Sequence, residues 1–205
     1  NFDILRLTLS ILVFFAHWNF LTSQNIANPL FHFSGYAVDM FFIVSGFLIF
    51  GSFYNYQNIK GFFIKRFFRI FPLYGLLILL QTMFFVFYAN GTAGEVVKYF
   101  TSNILFLNFL SYSVGDIFTH LEVNAINGSL WTLKNEVVFY ALVPIIFRLY
   151  KRFGFIFLFM IYLLSGIYVL GIDYLNISKL LVQFPAQLRL FVVGILLYLF
   201  LGATC

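Results

Sequence analysis

The 205-residue chain is poor in almost everything a soluble domain uses for its surface. Only 9% of its residues are charged, against roughly 25% in ordinary globular domains. It has one cysteine, Cys205, so no internal disulfide can form, and no prenylation box surrounds it. The first apolar run has no basic leader and no small-residue cleavage site, which argues against a removable signal peptide. No internal repeat appears, so an inverted-repeat transporter lacks sequence support. Strand alternation of the barrel kind is also absent. What remains is hydrophobic: 62% of the chain, with 32 phenylalanines. The expected class is all-α, a polytopic transmembrane helix bundle.

A span needs about 20 mostly apolar residues. Six segments qualify: Asp3–Leu21, Tyr36–Tyr54, Ile70–Tyr88, Leu130–Leu149, Phe153–Leu170 and Gln187–Leu201. Tyr99–Leu110 is too short and too rich in Ser and Asn to span, and reads as a re-entrant or interfacial helix. Lys60, Lys65, Arg66 and Arg69 separate spans two and three, and Arg148, Lys151 and Arg152 separate spans four and five. By the positive-inside rule both loops are cytoplasmic, the N-terminus with them, and Ala89–Ser129 is the main outer loop. The chain starts without a methionine and stops after an apolar run, so both ends are expected to continue. Three formal glycosylation sequons begin at Asn90, Asn127 and Asn176; a chain this rich in Asn makes them by chance.

Ionisable residues inside spans are costly and therefore informative. The first span carries Arg6 and His17, roughly 16 Å apart along the axis and on nearly one face. Asp39 near the outer end of span two, and Trp131, Lys134 and Glu136 at the start of span four, are expected at a depth similar to His17. A carboxylate near an imidazole fixes its tautomer and favours its charged form, which makes a positioned proton acceptor with a pKa near working pH, as a general base requires. The bland alternative is that His17, followed by Trp18, is an interfacial residue, and that the acids anchor helix packing or pair with Lys134. His32 and His120 have no metal-ligand spacing with each other or with Cys205, so no metal is expected. On the cytoplasmic side, Arg66 and Arg69 are three apart and share a helix face. Paired guanidinium forks suit phosphate oxygens, though basic residues here also simply set topology and touch anionic lipid.

Five stretches together resemble the acyltransferase-3 family, membrane O-acyltransferases of envelope polysaccharides. FDILRLTLSILVFFAH resembles its first helix, with Arg6 and His17 eleven apart. GYAVDMFFIVSGFLIF matches its second-helix motif through Asp39 and Ser45-Gly46-Phe47. KRFFRIFPLY matches R-x-x-R…P-x-Y through Arg66, Arg69, Pro72 and Tyr74. WTLKNEVVFYALVP matches W-S-L-x-x-E-x-x-F-Y through Trp131, Leu133, Glu136, Phe139 and Tyr140. LRLFVVGILL matches a later segment through Arg189 and Gly194. Two positions depart from the pattern: Val137 stands where members usually carry a second Glu, and Thr132 replaces a Ser. Members usually have about ten spans, so residues 1–205 are expected to be the N-terminal part of one transmembrane acyltransferase domain.

The resemblance implies an acyl-CoA donor, acetyl-CoA in the simplest case, and an acceptor hydroxyl on an envelope glycan or lipid-linked sugar. It implies a bacterial plasma (inner) membrane location, membrane lipids as neighbours and no nucleic-acid partner. His17, Glu136 and Asp39 are then the catalytic candidates, Arg66, Arg69 and Arg6 the acyl-CoA-binding ones. Trp131, Tyr140, Ser45 and Arg189 would line the substrate cleft. Two other readings remain at this stage. One is a proton-coupled transporter or flippase-like carrier with His17, Asp39 and Glu136 as a relay. The other is a degenerate, non-catalytic copy, against which the intact polar set argues.

Overall fold

The structure, a computed structural model, describes residues 2–21, 34–117, 126–128 and 130–201. His32, His120, Glu122 and Cys205 lie outside the described residues, as do the side chains of Arg6, His17 and Trp18 within a described helix. Seven α-helices appear among them: α1 (Phe2–Leu21), α2 (Ser34–Tyr56), α3 (Ile59–Tyr88), α4 (Ala93–Ile104), α5 (Leu130–Phe153), α6 (Phe155–Tyr174) and α7 (Phe184–Leu201). No strand occurs among the described residues. Helices α2, α3, α5, α6 and α7 are long and apolar enough to cross a membrane. The chain is a multi-pass membrane protein of helix-bundle architecture. The first expected span is also helical, as α1.

Boundaries shift for local reasons. The third span begins eleven residues before its expected start, so Lys60, Lys65, Arg66 and Arg69 ride on α3 rather than in a loop. Lys and Arg are good helix formers, and nothing between Ile59 and Ile70 breaks the helix. What separates α2 from α3 is only Gln57-Asn58, with Gln57 in the left-handed region (φ 47°). Likewise Arg148, Lys151 and Arg152 lie within α5, and the break before α6 is Gly154 alone, at φ 65°. Helix α6 continues to Tyr174, four residues past the expected end, and closes with Asn176 at φ 55°; Ile177 N–H donates to Ile172 O. That is a Schellman cap, where Asn tolerates the left-handed conformation. Pro72 and Pro144 sit inside α3 and α5.

The chain divides into two compact units, 1–59 with 135–205, and 60–134. In the first, α2 and α7 run in the same direction and touch backbone to backbone. A Cβ placed on Gly194 would lie on the carbonyl of Ile43, and one on Gly46 on the carbonyl of Phe191. Small residues permit this approach, the usual way helices associate in lipid. Around the contact, the fully buried Phe191 meets Phe42 (centroids 5.0 Å apart) and Phe139 of α5 (4.2 Å, stacked). At the far end Phe147 and Tyr150 of α5 close on Phe50 and Tyr54 of α2, with Lys151 Nζ 5.0 Å over the Tyr54 ring. Helix α6 packs antiparallel on α7 through Ser165, and α1 packs on α2.

The second unit is built differently. Helix α4 opens with a capping box: Thr92 Oγ1 accepts from Glu95 N–H at 3.3 Å, and Thr92 N–H donates to Glu95 Oε2 at 2.8 Å. It then runs back along α3. Tyr99 O–H donates to Gln81 Oε1 at 2.8 Å, and Tyr74 O–H donates to Asn103 O at 2.5 Å. Tyr74 lies about 21 Å of helix from the end of α3 at Tyr88. The α4 excursion thus reaches the middle of α3, as a re-entrant segment does, but its helix is Ala93–Ile104, with a 3-10 turn at Asn108–Leu110. It ends in another Schellman cap, with Phe106 at φ 61° where Gly is usual. The Phe106 ring stacks on Tyr74 (4.2 Å, 10°), which offsets a backbone strain of about 1–2 kcal/mol.

Candidate functional site

In the first unit the polar groups gather on α2, α5, α6 and α7. Glu136 is 3% exposed and accepts a 2.6 Å hydrogen bond from Tyr140 O–H, one turn along α5. The spacing i, i+4 puts the two side chains on one face. Asp39 of α2 is half-buried, and the Arg189 guanidinium of α7 interacts with it electrostatically. Asp39 precedes Phe42 by three residues and Arg189 precedes Phe191 by two. Ser45, two turns further along α2, is fully buried. Ser165 of α6 donates to Pro185 O at 2.6 Å and accepts from Arg189 N–H at 3.1 Å. Pro185 has no N–H, and Ser165 ties this opening turn of α7 to the neighbouring helix.

Two amides complete the set, Asn135 fully buried and Gln187 half-buried. Asn135 donates through Nδ2 to Val182 O at 3.0 Å, and Gln187 through Nε2 to Leu181 O at 2.7 Å. These bonds give partners to half-buried carbonyls in the segment ahead of α7. Neither Asn135, Gln187 nor Ser165 stood out in the sequence. The available signal was an amide or hydroxyl inside an otherwise apolar run, and for Asn135 its place beside Glu136.

The second unit holds the arginine pair. Arg66 is half-buried, with its guanidinium 5.4 Å over the Phe62 ring, and Arg69 is exposed. Tyr74, on the same helix, accepts from Asn108 Nδ2 at 3.5 Å in addition to its bond to Asn103. Lys134, 8% exposed, places Nζ 5.4 Å over the Phe109 ring. Trp131 is half-buried in the first turn of α5, whose Leu130 packs on Tyr74 and Ile78. Among the described residues no three His, Cys, Asp or Glu side chains cluster as metal ligands.

The structure therefore joins Glu136 to Tyr140, brings Asp39 within the electrostatic reach of Arg189, and puts Arg66 and Arg69 on one helix. Arg6 and His17 are carried by α1, and their side chains lie outside the described residues.

A family model described as an acyltransferase domain, that of acyltransferase-3, matches residues 1–204. The chain belongs to the acyltransferase-3 family. Nodulation protein 10 of Rhizobium leguminosarum bv. viciae is 30% identical over 171 residues, 74% of this chain and 45% of that protein. An O-acetyl transferase of Shigella phage Sf6 is 34% identical over 148 residues, 68% of this chain and 43% of the relative. The chain thus spans under half the length of these curated relatives. No solved structure matches.

Proposed function

We propose that this acyltransferase-3 chain belongs to an O-acyltransferase that moves an acetyl group from cytoplasmic acetyl-CoA to a hydroxyl of an envelope glycan or lipid-linked sugar. The observation that carries the reading is the family match over residues 1–204, with Arg6, His17, Arg66, Arg69 and Glu136 all at their motif positions. The phage relative's name, O-acetyl transferase, supports the acyl group. The protein sits in a bacterial inner membrane with its N-terminus in the cytoplasm, a topology supported by the basic residues of α3 and α5.

In this reading Arg66 and Arg69 hold the phosphates of the coenzyme, with Arg6 along the path of its acyl arm. His17 takes the proton of the acceptor hydroxyl as its oxygen attacks the thioester carbonyl. The C–S bond breaks, and the departing thiolate receives that proton from the imidazolium. Asp39 and Glu136 position the polar face, with Arg189, Tyr140 and Ser45 around the acceptor. Direct transfer and transient acyl-histidine formation share this inventory.

The test uses the full-length protein with acetyl-CoA and envelope glycan from a strain lacking the gene. His17→Gln keeps a hydrogen-bonding side chain that cannot take up a proton, so transfer should fall by at least 100-fold, while acetyl-CoA binding stays within about twofold. Near-normal transfer by His17→Gln would overturn the acid–base role. Acceptor-independent substrate transport without release of free coenzyme A would overturn the acyltransferase reading itself.

A further inference from the structure

Helix α6 buries Leu158, Ser165, Val169 and Ile172, three apolar side chains and one hydroxyl. A buried hydroxyl is costly unless it is bonded. The Ser165 Oγ donates to Pro185 O at 2.6 Å, with Ala186 O at 3.3 Å, and accepts from Arg189 N–H at 3.1 Å. Pro185 and Arg189 are four apart, so their carbonyl and amide are the acceptor and donor of one i→i−4 step of α7. A hydroxyl from the neighbouring helix thus meets both ends of that step. Side chains inserted in the helix ladder are a recognised cause of local bends, and so of where the residues there point.

The residue that leaves α7 at this step is Arg189. A guanidinium within a membrane span needs a partner of opposite charge, and this one interacts electrostatically with Asp39 of α2. The glycine seam between α2 and α7 begins only at Phe191, so residues 185–189 lie ahead of it and take a hold from α6 instead. We infer that Ser165 is a positioning residue, whose hydroxyl sets the α7 backbone at Arg189 so that the guanidinium faces Asp39 and, through that pairing, the acceptor. The role toward the acceptor rests on the reading of Arg189 as part of an O-acyltransferase site. The pairing with Asp39 does not.

One arm of the experiment measures transfer from acetyl-CoA to envelope glycan from a strain lacking the gene, with the full-length protein in detergent. Ser165→Ala should raise KM for the glycan about tenfold, while KM for acetyl-CoA stays within about twofold. Beside Arg189→Lys, Ser165→Ala should add no more than about a twofold change, because it acts through Arg189. Tyr198→Phe is the control: it removes another side-chain hydrogen bond of α7, at the far end, and both KM values should hold. An unchanged glycan KM in Ser165→Ala, a full effect that persists beside Arg189→Lys, or an equal effect of Tyr198→Phe would each refute the role toward the acceptor. Should Ser165→Ala fail to accumulate, Ser165→Cys keeps a group of similar size that bonds only weakly, and is read by the same criteria.

The other arm is independent of turnover. Asp39→Asn and Arg189→Gln should be non-additive in the thermal midpoint of the full-length protein by about 2 °C, and additive beside Ser165→Ala. Additivity in both backgrounds, or the same non-additivity in both, overturns the positioning role. A wild-type protein with no glycan-dependent release of coenzyme A would overturn the O-acyltransferase reading, and this second arm would still decide whether Ser165 positions Arg189.

Discussion

Where α2 meets α7, the helices touch through Gly46 and Gly194 and the ring of Phe191. At the far end a side-chain hydrogen bond joins them, Tyr198 O–H donating to Asn55 Oδ1 at 3.0 Å. Where α3 meets α4, the contact is a series of hydrogen bonds: Tyr99 to Gln81, Tyr74 to Asn103, Asn108 to Tyr74. Lipid tails are as apolar as Leu, so hiding Leu from them drives nothing together. Two devices remain, close backbone approach and polar bonding, and each of these two helix contacts relies mainly on one. The first is steric and intolerant of added atoms. The second is chemical, and its bonds can be removed one at a time.

The largest effect should come from filling the seam. Gly194→Val puts atoms where Ile43 O and the Phe47 amide already are. It should cost about 3 kcal/mol, the upper end of ordinary overpacking, measured by denaturing-detergent titration. Gly166 of α6 is the contrast, with nothing within 4 Å of a built Cβ. Gly166→Ala should be neutral or stabilise by up to about 1 kcal/mol through helix propensity. A large loss there would show that the glycines matter for something other than approach.

An intermediate effect is expected in the second unit. Tyr74→Phe keeps the ring stacked on Phe106 but removes the hydroxyl that Asn103 O and Asn108 share. About 1–2 kcal/mol should be lost, seen as a lower thermal midpoint of the full-length protein. A cost equal to that of Gly194→Val or greater would erase the distinction between the steric and the chemical contact.

The smallest effect is a coupling. In a double-mutant cycle of Tyr99→Phe and Gln81→Leu, the interaction energy should be about 0.6 kcal/mol, the average found between polar pairs of membrane helices. A coupling several times larger would mean that α4 is held by this single bond rather than by the series.

Much of this protein was legible without coordinates. Long apolar runs in a chain with 9% charge specify membrane helices, because the bilayer demands internally bonded backbone over a fixed thickness. The motif residues were visible for the same reason: Asp39, Glu136 and Arg189 stand out because so little else inside the spans is ionisable. Segment ends were less legible. A hydropathy window stops at charge, whereas a helix stops at backbone chemistry. For that reason Lys60–Arg69 was assigned to a loop although it continues α3, and α6 runs on to the cap at Asn176.

The partners of those residues were legible only in part. The i, i+4 spacing already puts Tyr140 on the face of Glu136, whereas nothing in the chain sets Arg189 near Asp39, 150 residues away. Asn135 was silent because one amide among apolar residues carries no period. Composition and hydropathy, being local sums along the chain, determined by themselves that this is a bundle of membrane helices and which few residues in it are polar. Which polar group meets which, and which are left bare, depends on helix rotation and close approach at positions such as Gly46 and Gly194. Only the packed structure decides those, because they are set by contacts between residues far apart in sequence.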